Sequence, residues 1–74
     1  MHQRDYSAGD MLTLPNLRRV RQLKLMSQRA LAERAKVSPA TVASIEAGKA
    51  AQFETVRKLC DALEVDVKEL IGGG

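Results

Sequence analysis

The sequence predicts an all-α domain of five short helices. Apolar residues recur at helical spacing through most of the chain, serines stand where helix caps belong, and no stretch alternates as a half-buried strand does. With 74 residues the chain makes one domain, and Tyr6 and Phe53 are its only aromatic residues. The core must therefore be built from Leu, Val, Ile and Ala. Cys60 is the single cysteine, so no disulfide closes within the chain, and one histidine gives no zinc constellation.

The elements follow in order. Residues 1–13 are polar and without periodicity and are expected to form a flexible extension, with Met11 a second possible start. The domain is expected to span residues 14–71. Leu14-Pro15-Asn16 opens the first helix, with Thr13 or Leu14 near its cap, and Leu17, Val20 and Leu23 face inward. Leu25-Met26 closes it. Ser27 caps the second helix, whose inner face is Leu31, Ala32 and Ala35. Lys36-Val37 is a turn. Ser38 caps the third helix, Pro39 takes its first position, and Val42 and Ile45 point inward. Gly48 stops that helix. Phe53, Val56, Leu59, Cys60 and Leu63 form the stripe of a fourth. Asp66 can cap a fifth that carries Val67, Leu70 and Ile71. Residues 72–74 are a flexible glycine tail.

Charge is distributed unevenly. From Asn16 to Lys36 there are seven basic residues (Arg18, Arg19, Arg21, Lys24, Arg29, Arg34, Lys36) against Glu33 alone. From Ala50 onward three basic residues meet five acids. A basic half fits a polyanion partner, and an acidic half fits a side turned away from it. No carboxylate pair, Ser–His–Asp set, Cys–His pair or phosphate-cradling glycine loop is present, so no enzyme, cofactor or small-molecule substrate is indicated. No run reaches the roughly 18 apolar residues of a membrane span and no export signal stands out, so a cytoplasmic, nucleoid-associated protein is expected.

The segment Ser27–Glu46 has the layout of a helix-turn-helix DNA reader, two capped helices joined by a tight turn. The run Arg21…Ser27-Gln28…Leu31-Ala32…Val37-Ser38…Thr41-Val42…Ile45-Glu46-Ala47-Gly48-Lys49 resembles the Cro-like (xenobiotic-response-element type) helix-turn-helix repressors. The resemblance continues through Val56, Leu59, Leu63-Glu64-Val65 and Glu69-Leu70. It implies a compact lambda-repressor-like DNA-binding domain acting as a regulator, with a recognition helix at about 38–47 in the major groove.

The resemblance also implies roles. Gln28 and Thr41 match phosphate-binding positions, Ser27 and Ser38 match caps beside the DNA backbone, and Lys49 matches a backbone-contacting cation. Pro39, Ala40, Ala43 and Ser44 stand where base-reading side chains belong, with Arg29 at the groove edge. Arg21 and Glu46 match an internal ion pair. Cys60 fills a core slot. Double-stranded DNA is the implied partner and a homodimer the implied state, with Val67, Leu70 and Ile71 as its surface. A second reading is the antitoxin of a toxin–antitoxin pair, holding a protein partner while binding its own promoter.

Two departures stand out. Leu25, Lys36 and Glu64 occupy sites where the family often has glycine, and Lys36 falls at a turn that commonly needs a left-handed residue. The exposed face of the third helix also carries no Arg, Lys, Asn or Gln, so bidentate reading of guanine or adenine is not available from it. Methyl contacts, hydroxyls, bridging water and DNA shape remain.

Overall fold

The computed structural model describes residues 10–72. Helices occupy Leu17–Leu23 (α1), Gln28–Ala35 (α2), Pro39–Glu46 (α3), Phe53–Leu63 (α4) and Val67–Ile71 (α5). The fold is therefore the expected all-α, five-helix one. It also holds two short strands, Met11–Leu12 (β1) and Ala51–Gln52 (β2), which pair antiparallel with Met11 opposite Gln52 and Leu12 opposite Ala51. The expectation of no strand is corrected, and so is the boundary at residue 14. Leu12 packs on the core and Ala51 is buried, which anchors the ribbon. Residues 1–9 of the expected extension, and residues 73–74 of the expected tail, lie outside the described residues.

The core is aliphatic throughout. Leu14, Leu17, Leu31, Val42, Leu59, Leu63 and Leu70 are almost wholly buried, with Val20, Ile45, Val56 and several alanines around them. Truncating such a leucine typically costs about 2–5 kcal/mol, comparable to the whole stability of a domain this small. Two expectations about the stripes fail. Leu23 is 72% exposed, because Leu17, Val20 and Arg21 define the inner face of α1 and Leu23 falls off it. Phe53 is 40% exposed, because it opens α4 at the rim of the molecule beside Leu12 and Val67.

The first helix begins later than expected, with Asn16 at its cap position, and Asn16 has a role the sequence did not suggest. Its side chain caps no helix start; Nδ2 donates to the carbonyls of Gly72 at 3.1 Å and Glu69 at 3.3 Å. Its backbone N–H donates to the Leu70 carbonyl at 2.9 Å. The last carbonyls of a helix have no partners within it, and Asn16 supplies three of those of α5 and its exit. Gly72, expected in the loose tail, is thus tied to the start of α1.

Four helices end in the same way. After α1, Met26 N–H reaches the Arg21 carbonyl and Leu25 N–H the Gln22 carbonyl; Val37 and Lys36 repeat this after α2, Lys49 and Gly48 after α3, Val65 and Glu64 after α4. This is the paired 6→1 and 5→2 pattern that closes a helix through one left-handed residue. Only α3 uses glycine there, Gly48 at φ +114°; Leu25, Lys36 and Glu64 adopt φ of 61°, 63° and 60°. The chain keeps the left-handed turn at Lys36 without glycine. In three of the four turns the next residue (Met26, Val37, Val65) packs onto the core and seals the helix end.

Lys36→Gly is expected to raise unfolding stability by up to about 1 kcal/mol, since a non-glycine left-handed residue costs about 1–2 kcal/mol and glycine returns part of that as chain entropy. Thermal denaturation of the two proteins checks the sign.

Candidate nucleic-acid interface

Two serines set the starts of the central helices. Ser27 and Ser38 both have extended backbones; Ser27 Oγ accepts from Ala30 N–H at 3.0 Å and Ser38 Oγ from Thr41 N–H at 3.1 Å. Such caps satisfy a donor the helix itself leaves open and contribute about 1 kcal/mol each. Pro39 occupies the first turn of α3, where its missing N–H is not needed. Val42 and Ile45 hold α3 on the core, and Pro39, Ala40 and Ala43 are exposed on its other side. Thr41 and Ser44 are half-buried at the edge, the Thr41 hydroxyl lying 2.9 Å from that of Ser38. An open groove of about 290 Å³ runs along this edge, lined by Ala40, Thr41, Ser44, Lys49, Gln52 and Thr55.

Beneath this surface lies one carboxylate. The Glu46 side chain is fully buried, and Arg21 donates to it from Nε at 2.6 Å and from Nη2 at 3.1 Å. Arg18 Nε adds a hydrogen bond at 3.3 Å and Gln28 Nε2 another at 3.0 Å. Arg21 is itself buried and its Nη1 donates to the Met26 carbonyl at 2.8 Å, tying the α1–α2 turn to the same cluster. Burial pushes the Glu46 carboxyl up, but the hydrogen bonds from Arg21, Gln28 and Arg18, with the Arg21 charge, outweigh it and hold its pKa below the ordinary carboxylate range. The hydrogen bond to Glu46 raises the Arg21 pKa further, against the opposing effect of burial. Both groups stay charged across the physiological range.

The structure thus brings Arg21, Gln28 and Glu46 together. It adds Arg18, which sequence spacing gave no means of assigning to this carboxylate. Gln28 is oriented inward toward Glu46, where the sequence reading had it free for an outside ligand. Gln52 and Thr55 at the groove are further residues the sequence reading missed. Gln52 lies in β2, a strand too short to show a period, and Thr55 in the first turn of α4, where spacing alone does not mark a groove residue.

Arg29 is exposed and approaches Glu33 only to 3.8 Å, a pair of little consequence in water. Lys49 is exposed, and no carboxylate lies within 4.0 Å of it among the described residues. The expected dimer residues separate. Val67 and Ile71 are partly exposed, but Leu70 is 0% exposed and belongs to the core, where the α5–α1 contact encloses it. Leu70 is therefore removed from that surface. Leu12, Phe53 and Val67 line a shallow apolar groove of about 210 Å³. Cys60 is half-buried against the core; burial, then Asp61 and Asp66, push its thiol up, which keeps it protonated and unreactive at neutral pH.

A sequence model of the helix-turn-helix family matches residues 17–70, most of the chain, from the start of α1 into α5. The chain belongs to the helix-turn-helix family. Comparison with curated proteins and with solved structures gave no match. The helix-turn-helix unit is α2 and α3 with the Lys36-Val37 turn between them, and membership marks the chain as a DNA-binding protein of the transcription-regulator class. No helix among the described residues is long and apolar enough to cross a membrane, and no group of side chains among them is arranged to hold a metal ion.

Because the folded pKa of Glu46 is lowered, its ionisation stabilises the fold fully above the unfolded value of about 4.3 and less as pH falls through the folded value. Wild-type unfolding free energy should therefore drop on acidification below about pH 4.3. Glu46→Gln is expected to be less stable at neutral pH and to lose that part of the pH dependence, as measured by urea denaturation from neutral pH down through the acid range.

Proposed function

We propose that the protein is a repressor that binds a DNA operator as a symmetric dimer, with α3 in the major groove. The observation that carries this reading is the exposed small-residue face of α3, held at a fixed angle by the buried Arg21–Glu46 pair. Ala40 and Ala43 allow close approach to base edges, where their methyls and the Pro39 ring methylenes meet thymine methyls and Ser44 offers a hydroxyl. Ser27, Gln28, Arg29, Ser38, Thr41 and Lys49 contact phosphates on either side, aided by the helix N-termini. Gln28 serves two partners: one amide hydrogen holds Glu46 and the second is available to a phosphate. The Glu46 carboxylate does not repel that phosphate, because Arg18 and Arg21 neutralise it.

With no long polar side chain on the outward face of α3, affinity rests chiefly on the DNA backbone and preference chiefly on shape and methyl contacts. The dimer forms through Val67, Ile71, Phe53 and Leu12, placing two recognition helices about one helical turn apart, roughly 34 Å.

Selection of bound duplexes from a random pool tests the proposal. An enriched inverted repeat with half-sites about 10 base pairs apart is the expected result, and no enrichment would contradict it. On the selected duplex, Lys49→Ala should weaken binding by a similar factor for matched and mismatched sequences and reduce the salt slope by about one. Loss confined to the matched sequence would assign Lys49 to base reading instead.

A further inference from the structure

Leu23 is 72% exposed and Leu25 92% exposed, the two most exposed large apolar side chains among the described residues. They flank Lys24 at the turn between α1 and α2. Leu25 also holds the left-handed conformation, φ 61°. The other non-glycine residues in that conformation, Lys36 and Glu64, are polar and at home in water. The left-handed backbone at Leu25 closes α1, but its solvated aliphatic side chain packs on nothing in the core. Local rules broken without benefit to folding mark sites kept for another purpose.

The turn is rigid. Leu25 N–H donates to the Gln22 carbonyl at 2.9 Å, Met26 N–H to the Arg21 carbonyl at 3.2 Å, and Arg21 Nη1 to the Met26 carbonyl at 2.8 Å. Met26 is packed against the core. The two leucines are therefore presented on a preorganised knuckle, which lowers the ordering cost of binding.

Its surroundings are basic. Arg19 lies one turn before Leu23 on the same side of α1, and Lys24 lies between the leucines. Neither has a carboxylate within 4.0 Å among the described residues, and the sequence has no Asp or Glu from Met11 to Ala32. The fitting ligand therefore offers apolar groups to Leu23 and Leu25 and anionic groups to Arg19 and Lys24. A DNA backbone would satisfy Arg19 and Lys24 but offers nothing to two leucines.

We propose that this knuckle, Leu23 and Leu25 with Arg19 and Lys24 beside them, is a docking surface for an acidic amphipathic segment of another protein. Apolar side chains of the segment cover the leucines and its carboxylates pair with the two cations. The knuckle directly precedes the Ser27 cap, so the partner sits beside the α2 terminus and can engage the domain and its DNA together. The contact is small, and affinity in the range of about 0.1–1 mM is expected for the segment alone.

The probe is a synthetic helical peptide with leucine along one face and glutamate on the rest, titrated into the isotopically labelled full chain by NMR. Shifts centred on residues 19–26 that weaken with added salt are expected. A control peptide with serine in place of leucine should leave those residues unmoved. Leu25→Gly separates binding from folding, because it relieves the strained turn while deleting the contact. It should raise the thermal midpoint by about 4 °C and weaken the peptide about ten-fold. Shifts confined to the Ser38–Ser44 face or to the groove by Phe53 and Val67 would overturn the proposal. So would equal binding of the serine peptide, unchanged binding by Leu25→Gly, or no shifts at millimolar peptide.

Discussion

The fold depends on how one buried carboxylate is satisfied. Glu46 sits at the end of α3 with its side chain fully out of water, a position tenable only with several donors around it. Those donors come from α1 (Arg18, Arg21) and α2 (Gln28), and Arg21 goes on to fix the Met26 carbonyl. An aliphatic core packs well but is tolerant of sliding, since contacts between leucines have little directional preference. Hydrogen bonds at 2.6–3.1 Å around a single carboxylate do have direction, and they relate α1, α2 and α3 at one point. Removing one partner of such a pair typically costs about 3–5 kcal/mol, which matches the whole stability available to a domain of this size.

The second constraint is the ending of the helices. With helices of five to eleven residues, much of each backbone lies within a turn of an end, where hydrogen bonds are not internally satisfied. The paired left-handed closure, used four times, recovers some of these groups and turns the chain toward its next element. Three of these turns keep a non-glycine residue, so the domain carries local strain that glycine would relieve. At Lys36 that turn separates the two helices of the DNA-binding unit. At Leu25 it raises a leucine into solvent.

Much of this was legible in the sequence because it depends on local rules. Ser27, Ser38 and Pro39 announce helix starts by chemistry that acts within three residues, and Val42 and Ile45 announce a buried face by spacing. The β1–β2 ribbon was not legible, since two-residue strands have no measurable alternation. Leu70 and Phe53 exchanged expected places for a related reason: spacing shows which residues share a face but not which of two apolar faces meets the core. Asn16 looked like an ordinary residue after proline, and its bonds to Glu69 and Gly72 span more than fifty positions. Gln28 stood at the anticipated helix start, yet only the folded chain shows its amide turned to Glu46.

On the proposed reading, the Arg21–Glu46 pair orients α3 toward DNA as well as holding the fold. A double-mutant cycle with Arg21→Met and Glu46→Leu, read both as unfolding free energy and as affinity for a selected duplex, tests it most directly. Each single change should be strongly destabilising and weaken DNA binding, while the double variant should recover much of the stability, giving a coupling of at least about 1.5 kcal/mol. Additive effects on stability, or single variants that remain folded and bind DNA as tightly as the parent, would contradict it.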